Sequence, residues 1–261
     1  MTRTDSQVGR ERILTESPVA SVAKELNLQV VKANKIDGSV LEIIRSFDAD
    51  LGVVVAYGSI FGREALNVPR LGWINLHYSL LPKFPGPAPV QHALLSGQQT
   101  TGVTVFRLDE GIDTGPIVSQ AETDIEDSDN SESLLDRLTT VGSSLLRDVL
   151  VAGDQLISQA TVQIRENESV VATKATRVMA NLNFHLDARS QYNKIRAMNP
   201  EPMSWFETNG SAVRVLRARL ALDHQIEVST MQLIGKELFV GCLEGSLILE
   251  TVQPAGKKAM S

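Results

Sequence analysis

Three observations predict an α/β chain whose mostly parallel, helix-flanked sheet is followed by a small barrel-like β domain. Between about residues 28 and 120, short apolar runs alternate with helix-period segments, the pattern of strand–helix–strand units. The run Val53-Val54-Val55 is continuously apolar, as in a strand covered on both faces. Beyond about residue 200 the pattern changes to short strands with alternating apolar and polar residues.

Taken in order, helices are expected near 18–26, 38–47, 59–66 and 87–96. The strands are expected at LQVVKA (28–33), LGVVVAY (51–57), GWINLH (72–77) and GVTVFRL (102–108). Acidic residues then crowd 122–136. Asp129 and Glu132 fit a D-x-x-E capping arrangement ahead of the apolar-periodic stretch Leu134 to Leu150, so the acids read as helix initiation and not as a metal site. Residues 159–186 show no sustained periodicity and read as a linker. A helix over 188–198 is stopped by Pro200 and Pro202. AVRVLRARL (212–220), KELFVGCL (236–243) and SLILETV (246–252) follow as strands. The expected division is therefore a first domain over 1–158, the linker over 159–186 and a second domain over 187–261.

Composition narrows the function classes. The chain has 261 residues, 43% of them hydrophobic, enough for a substantial core. No apolar run approaches the ~20 residues of a membrane helix. The N-terminal segment lacks an apolar stretch of signal-peptide type, and Asp5, Glu11 and Glu16 argue against an acid-poor transit peptide. The single cysteine, Cys242, excludes an intramolecular disulfide and reads as a buried small hydrophobe in a reducing, cytoplasmic setting. The net charge of −6 is uneven. Residues 171–261 hold 11 Lys and Arg against 8 Asp and Glu, while the rest holds 14 against 23. A basic second half suits a polyanion partner, and a solvated basic face explains it as well.

The stretch INLHYSLLP (74–82) carries chemistry. In a strand, Asn75 and His77 project from one face, at the carboxyl end where ligands gather in such sheets. A neutral amide beside a group that changes charge near neutral pH suits a site where an oxyanion forms and a proton moves. GIDTG (111–115) adds Asp113 between two glycines. Singly, each has a structural explanation: a capping or turn asparagine, a half-buried histidine, a turn aspartate. His92, His185 and His224 lack partners at metal-ligand spacing, so no metal is expected. Neither G-x-G-x-x-G nor a Walker A pattern occurs.

Together, N-x-H, S-L-L-P and D-T-G resemble the folate-dependent formyltransferases. The similarity extends through VVVAYGSI (53–60), VPRLGWINLHYSLLP (68–82), GPAPVQHALLSG (86–97) and TGVTVFRLDEGIDTG (101–115). MNPEPMSW (198–205) and QPAGKKAMS (253–261) resemble the branch that acts on methionyl-tRNA. This resemblance implies a Rossmann-like catalytic domain, a linker and an OB-like tRNA-binding domain. It implies transfer of a formyl group from 10-formyltetrahydrofolate to initiator methionyl-tRNA, by a monomer with no metal and no membrane partner. Asn75, His77 and Asp113 match the family's catalytic triad, with Asp113 raising the His77 pKa and taking the amine proton. Ser79, Leu80, Leu81 and Pro82 match its folate-contacting segment. Arg10, with Arg12 beside it, matches a basic loop that meets the tRNA acceptor stem. Arg214, Arg217, Arg219, Lys236, Lys257 and Lys258 are the phosphate contacts expected in the second domain.

Two departures stand out. After SLLP the family has Arg-Trp-Arg-Gly, whereas this sequence has Lys83-Phe84-Pro85-Gly86. The family also begins with a strand, a Gly-Thr-Pro turn and a helix, which here would lie before Met1. A chain without that central strand is expected to fold poorly and to be nearly inactive. The alternatives are a glycinamide ribonucleotide or nucleotide-sugar formyltransferase, or a catalytically impaired tRNA-binding remnant.

Overall fold

A computed structural model describes residues 1–9, 11–164 and 170–261. Arg10, one of the expected tRNA contacts, lies outside the described residues, as does 165–169 of the expected linker. The chain divides into two units, each described by itself: Met1–His77 with Val105–Ser119 and Val149–Gln163, and Tyr78–Thr104 with Gln120–Asp148 and Ile164–Ser261.

The first unit opens with a hairpin of β1 (Ser6–Val8) and β2 (Ile13–Thr15), paired antiparallel with Val8 opposite Ile13. Helix α1 (Pro18–Glu25) is capped by Ser17, whose hydroxyl accepts from Ala20 N, and Pro18 starts it without losing a needed donor. Helix α2 (Gly38–Ser46) is capped in the same way by Asp37. Strand β3 (Gly52–Val55), the short helix α3 (Arg63–Leu66) and β4 (Trp73–His77) follow. β3 and β4 run parallel, with Gly52 opposite Trp73. A Cβ at Gly52 would stand 2.0 Å from the indole, so only glycine lets Trp73 lie across the strand. The indole packs edge-on to Phe61 at 4.8 Å and donates Nε1–H to Ala65 O. Leu41, Phe61 and Ala65 form the core there. Helix α6 (Asp154–Ser158) also belongs to this unit.

The four-stranded sheet has the order β3-β4-β5-β6, with β5 spanning Thr100–Arg107 and β6 spanning Ile117–Asp124. Residues of β5 and β6 occur in both units. The sheet is mixed. Leu108 N, just past the end of β5, donates to Trp73 O at the start of β4, so β5 runs against β4. Arg107 N donates to Pro116 O and closes β5 onto β6 as a hairpin. The α/β architecture is as expected, and the reversal after β4 is the addition.

Two expectations about the early strands differ from the structure. Residues 28–33 form no strand; Lys32 makes a single parallel bridge to Thr2. Val53 and Val55 are 42% and 43% exposed, not covered: they share one face of β3, and a cavity lies over it. The cavity measures about 410 Å³ and is lined by Thr2, Val19, Phe47, Val53 and Val55 among others.

The second unit carries α4 (Pro89–Leu95), the start of α5 (Ser131–Ala152) and α7 (Ala188–Met198). The α5 cap is Asn130, whose Oδ1 accepts from Glu132 N and Ser133 N; the cap expected at Asp129 is displaced by one residue. The Asp129 carboxylate instead takes Arg137 and Glu126 N. Arg196 of α7 is buried and donates to Glu126 O and Asp127 O, tying that helix to the acidic loop.

Helix α7 stops at Met198, before Pro200 as the sequence predicts. Asn199 then donates to Val215 O and Leu216 O. Beyond it, β7 (Trp205–Thr208), β8 (Ser211–Ala221), β9 (Met231–Ile234), β10 (Glu237–Gly241) and β11 (Ser246–Pro254) form a curled antiparallel half-barrel in the order β7-β8-β11-β10-β9. Its core holds Phe184, Ile195, Phe206, Val215, Val240, Cys242 and Leu247, with the two phenylalanine rings edge-on at 5.3 Å. Each such side chain contributes about 1.5–3 kcal/mol by burial.

Candidate active site

β4 sets the first part of the site. Its alternation sends Ile74 and Leu76, both buried, to one face, and half-buried Asn75 with buried His77 to the other. The His77 ring packs edge-on against the fully buried Phe106 of β5, ring centroids 6.4 Å apart, which restricts its rotation.

The loop between β5 and β6 brings Asp113 to this histidine. Asp113 Oδ2 stands 3.6 Å from His77 Nδ1, close enough for charge pairing and longer than a hydrogen bond. Three features shape the loop. Asp109 Oδ1 accepts from Gly111 N at 3.0 Å and from Thr114 Oγ1 at 2.5 Å, pinning the turn. Asp113 itself has φ +52°, a left-handed conformation that aspartate tolerates better than most residues. Gly115 passes so close to the preceding strand that a Cβ there would stand 1.7 Å from Arg107 O. Gln163 Nε2 then donates to both Asp113 O (3.0 Å) and Gly115 O (2.7 Å). Of the three residues expected together from sequence, His77 and Asp113 face each other, and Asn75 lies on the same face of β4 as His77. Phe106, Asp109 and Gln163 were not singled out; only the position of Asp109 four residues before Asp113 carried a local signal.

The segment Ser79–Pro82 is described within the second unit. Ser79 is fully buried and donates its hydroxyl to Lys83 O at 2.6 Å, so its side chain serves the turn. Leu81 is also buried, whereas Leu80 and Pro82 are partly exposed.

The basic residues are dispersed. Arg12 is exposed at the tip of the β1–β2 hairpin, with φ +52°. Arg214, Arg217 and Arg219 are exposed on β8. Arg217 and Arg219 stand 3.7 and 3.6 Å from Glu250, and Arg219 also pairs with Glu237. Arg214 lies opposite Gln253 in register, and Gln253 Nε2 donates to Lys257 O, which puts Arg214 and Lys257 on one patch. Lys236, Lys257 and Lys258 are exposed. Among the described residues, no group of three His, Cys, Asp or Glu is placed to hold a metal, and no helix is long and apolar enough to cross a membrane.

Comparison with known proteins agrees across the chain. Residues 1–150 match the formyl transferase family and residues 174–261 match the formyl transferase C-terminal domain. The methionyl-tRNA formyltransferase of Leifsonia xyli subsp. xyli is 38% identical over 261 residues, covering 100% of this chain and 86% of that one. The enzyme of that name from Renibacterium salmoninarum is 39% identical over 264 residues, covering 100% and 84%. Among solved structures, WlaRD, a sugar 3N-formyl transferase determined with dTDP and 5-N-formyl-THF, superposes with TM-score 0.68 at 20% identity, over 94% of this chain and 83% of that one. An N-formyltransferase from Helicobacter canadensis gives TM-score 0.68 at 18% identity, over 95% and 86%. At those identities the two structures speak for the fold. The family matches and the relatives above 30% identity make this chain a member of the formyl transferase family, in its methionyl-tRNA formyltransferase branch.

Proposed function

We propose that this protein transfers a formyl group from 10-formyltetrahydrofolate to the amino group of methionyl-tRNA, giving formylmethionyl-tRNA for cytoplasmic translation initiation. Support comes from relatives of 34–39% identity that match the chain over its whole length and carry that name. The observation that carries the site is the pairing of buried His77 with half-buried Asp113, with Asn75 on the same face of β4 as His77.

The residues fit such a donor. Formyl transfer places negative charge on the formyl oxygen and releases a proton from the attacking amine. An amide, an imidazole and a carboxylate supply the donors and the acceptor those changes require. 10-Formyltetrahydrofolate supplies the formyl carbon already attached to a leaving nitrogen. Asn75 donates its amide N–H to the developing oxyanion, one such donor being typically worth about 3–4 kcal/mol. His77, held by Asp113 and the ring of Phe106, adds a second, charged donor. Asp113 orients that imidazole and accepts the amine proton, directly or through water. Ser79–Pro82 forms the folate-contacting segment through Leu80, Pro82 and its main chain. Arg10, and Arg12 at the hairpin tip, meet the acceptor stem, and Arg214, Lys257 and Lys258 bind tRNA phosphates. The catalytic domain spans 1–158 and the tRNA-binding domain 187–261, joined by the 159–186 linker, in a monomer.

A substrate panel tests the reading against the amino-sugar activity named for the structural neighbours. With 10-formyltetrahydrofolate as donor, methionyl-tRNA should be formylated, and glycinamide ribonucleotide and a dTDP-amino sugar should not. Formylation of the amino sugar alone would reject it.

A further inference from the structure

Thr104 is fully buried on β5, and its hydroxyl uses its whole bonding capacity on its neighbours. It donates to Ser79 O at 2.6 Å, accepts from Leu81 N at 3.1 Å and accepts from Gln120 Nε2 at 2.9 Å. Gln120, on β6, also donates to Leu81 O at 2.9 Å. The peptide groups on both sides of Leu80 are thereby fixed to two neighbouring strands. Gly102, two residues before Thr104, provides the room: a Cβ there would stand 2.6 Å from Leu80 Cδ2 and 2.2 Å from Ala121 O. A hydroxyl with one donor and two acceptors, facing Ser79 and Leu81 on the same short segment, is more than a buried threonine needs to be satisfied.

We propose that Thr104, assisted by Gln120, is a positioning residue that sets the orientation of Leu80 and the Leu81–Pro82 main chain toward the folate donor. This rests on the reading of Ser79–Pro82 as the folate-contacting segment. Neither residue touches donor or acceptor; both act through the segment, so their loss weakens the donor side of the reaction and spares the tRNA side. The effect differs from a general loss of fold, which would lower both alike.

The test uses the full chain and steady-state formyl transfer with each substrate varied in turn. Thr104→Val keeps the shape of the side chain and removes the hydroxyl. It should raise the KM for 10-formyltetrahydrofolate about tenfold, as a displaced positioning segment does, with the methionyl-tRNA KM within about twofold. Thr104→Ser should restore the donor KM. Gln120→Leu, at an exposed position and with Thr104's bonds to Ser79 O and Leu81 N kept, should raise the donor KM by about threefold and holds the test open where Thr104→Val does not fold. Leu80→Ala separates the two ideas. If Leu80→Ala raises the donor KM while folded Thr104→Val leaves it unchanged, the positioning role is overturned and the segment's contact stands. If both are neutral, the contact itself is wrong and the positioning role falls with it. Equal rises in both KM values, or no rescue by serine, would also overturn the proposal.

Discussion

His77 Nδ1 and Asp113 Oδ2 lie 3.6 Å apart across a turn held by a third side chain, Gln163, which donates to the carbonyls on either side of Thr114. The carboxylate is placed by its backbone, and the backbone is placed from outside the loop. Gln163→Ala should therefore lower kcat about tenfold or more, since displacements of an ångström at a reacting group are costly, with little change in either KM. Steady-state kinetics alongside a thermal melt checks this. A normal kcat would show that the turn is set by Asp109 alone.

Asp129 links stability to pH. Burial alone would raise its carboxyl, yet hydrogen bonds from Arg137, Glu126 N and Ser133 outweigh that, and its pKa is lowered. A group with a depressed folded pKa contributes stability above its unfolded value, near ~3.9, and loses it as pH falls through the folded value. Asp129→Asn should cost about 1–3 kcal/mol at pH 7, because Arg137 loses a buried partner. It should also flatten the fall in stability below about pH 5. Urea titrations of both proteins from pH 7 to pH 3 give the comparison; parallel curves would contradict the linkage.

Cys242 is fully buried, and its thiol is pushed up to about 11, first by desolvation and then by the nearby Asp187 charge. The folded protein should therefore resist iodoacetamide at pH 8 and label only on unfolding. Labelling followed by mass spectrometry as urea rises should track loss of the half-barrel core. Rapid labelling without urea would mean that this core opens readily.

Binding of tRNA should depend steeply on salt, losing about 0.9 in log K per log unit of salt for each phosphate neutralised on duplex. The contributions should differ among the basic residues. Lys257→Ala should lower the slope by about one unit. Arg217→Ala and Arg219→Ala should lower it by less, because Glu250 already pairs with both. Replacing Arg10 and Arg12 with alanine should raise the tRNA KM and leave folate binding alone. Filter binding at several salt concentrations decides it, and a salt-independent Kd would remove the phosphate-contact account.

The parts of this site legible in the sequence were those governed by local geometry. Asn75 and His77 read as partners because a strand repeats every two residues, and β4 keeps that register. Asp113 was legible only through resemblance, since a D between glycines is ordinary turn chemistry and its meeting with His77 depends on tertiary placement. Thr104 and Gln120 gave no local signal: one looks like any β-branched strand residue, the other like a polar residue on a half-exposed strand. β6 was not anticipated because its second half, Gln120 to Asp124, is mostly polar and exposed on alternate positions. Val53 to Val55 misled in the opposite direction. An apolar run describes side chains, and whether a face of the strand is covered depends on which elements pack against it, which no local pattern encodes.

The most direct measurement is single-turnover formyl transfer by Asp113→Asn, beside a melting curve and donor binding on the same preparation. Asparagine keeps the size and the turn and removes the charge facing His77 and the proton acceptor. The account predicts a native-like melt, donor binding within about twofold, and a transfer rate lower by about 10²–10⁴-fold. A folded Asp113→Asn protein that formylates methionyl-tRNA at a near-normal rate would contradict it.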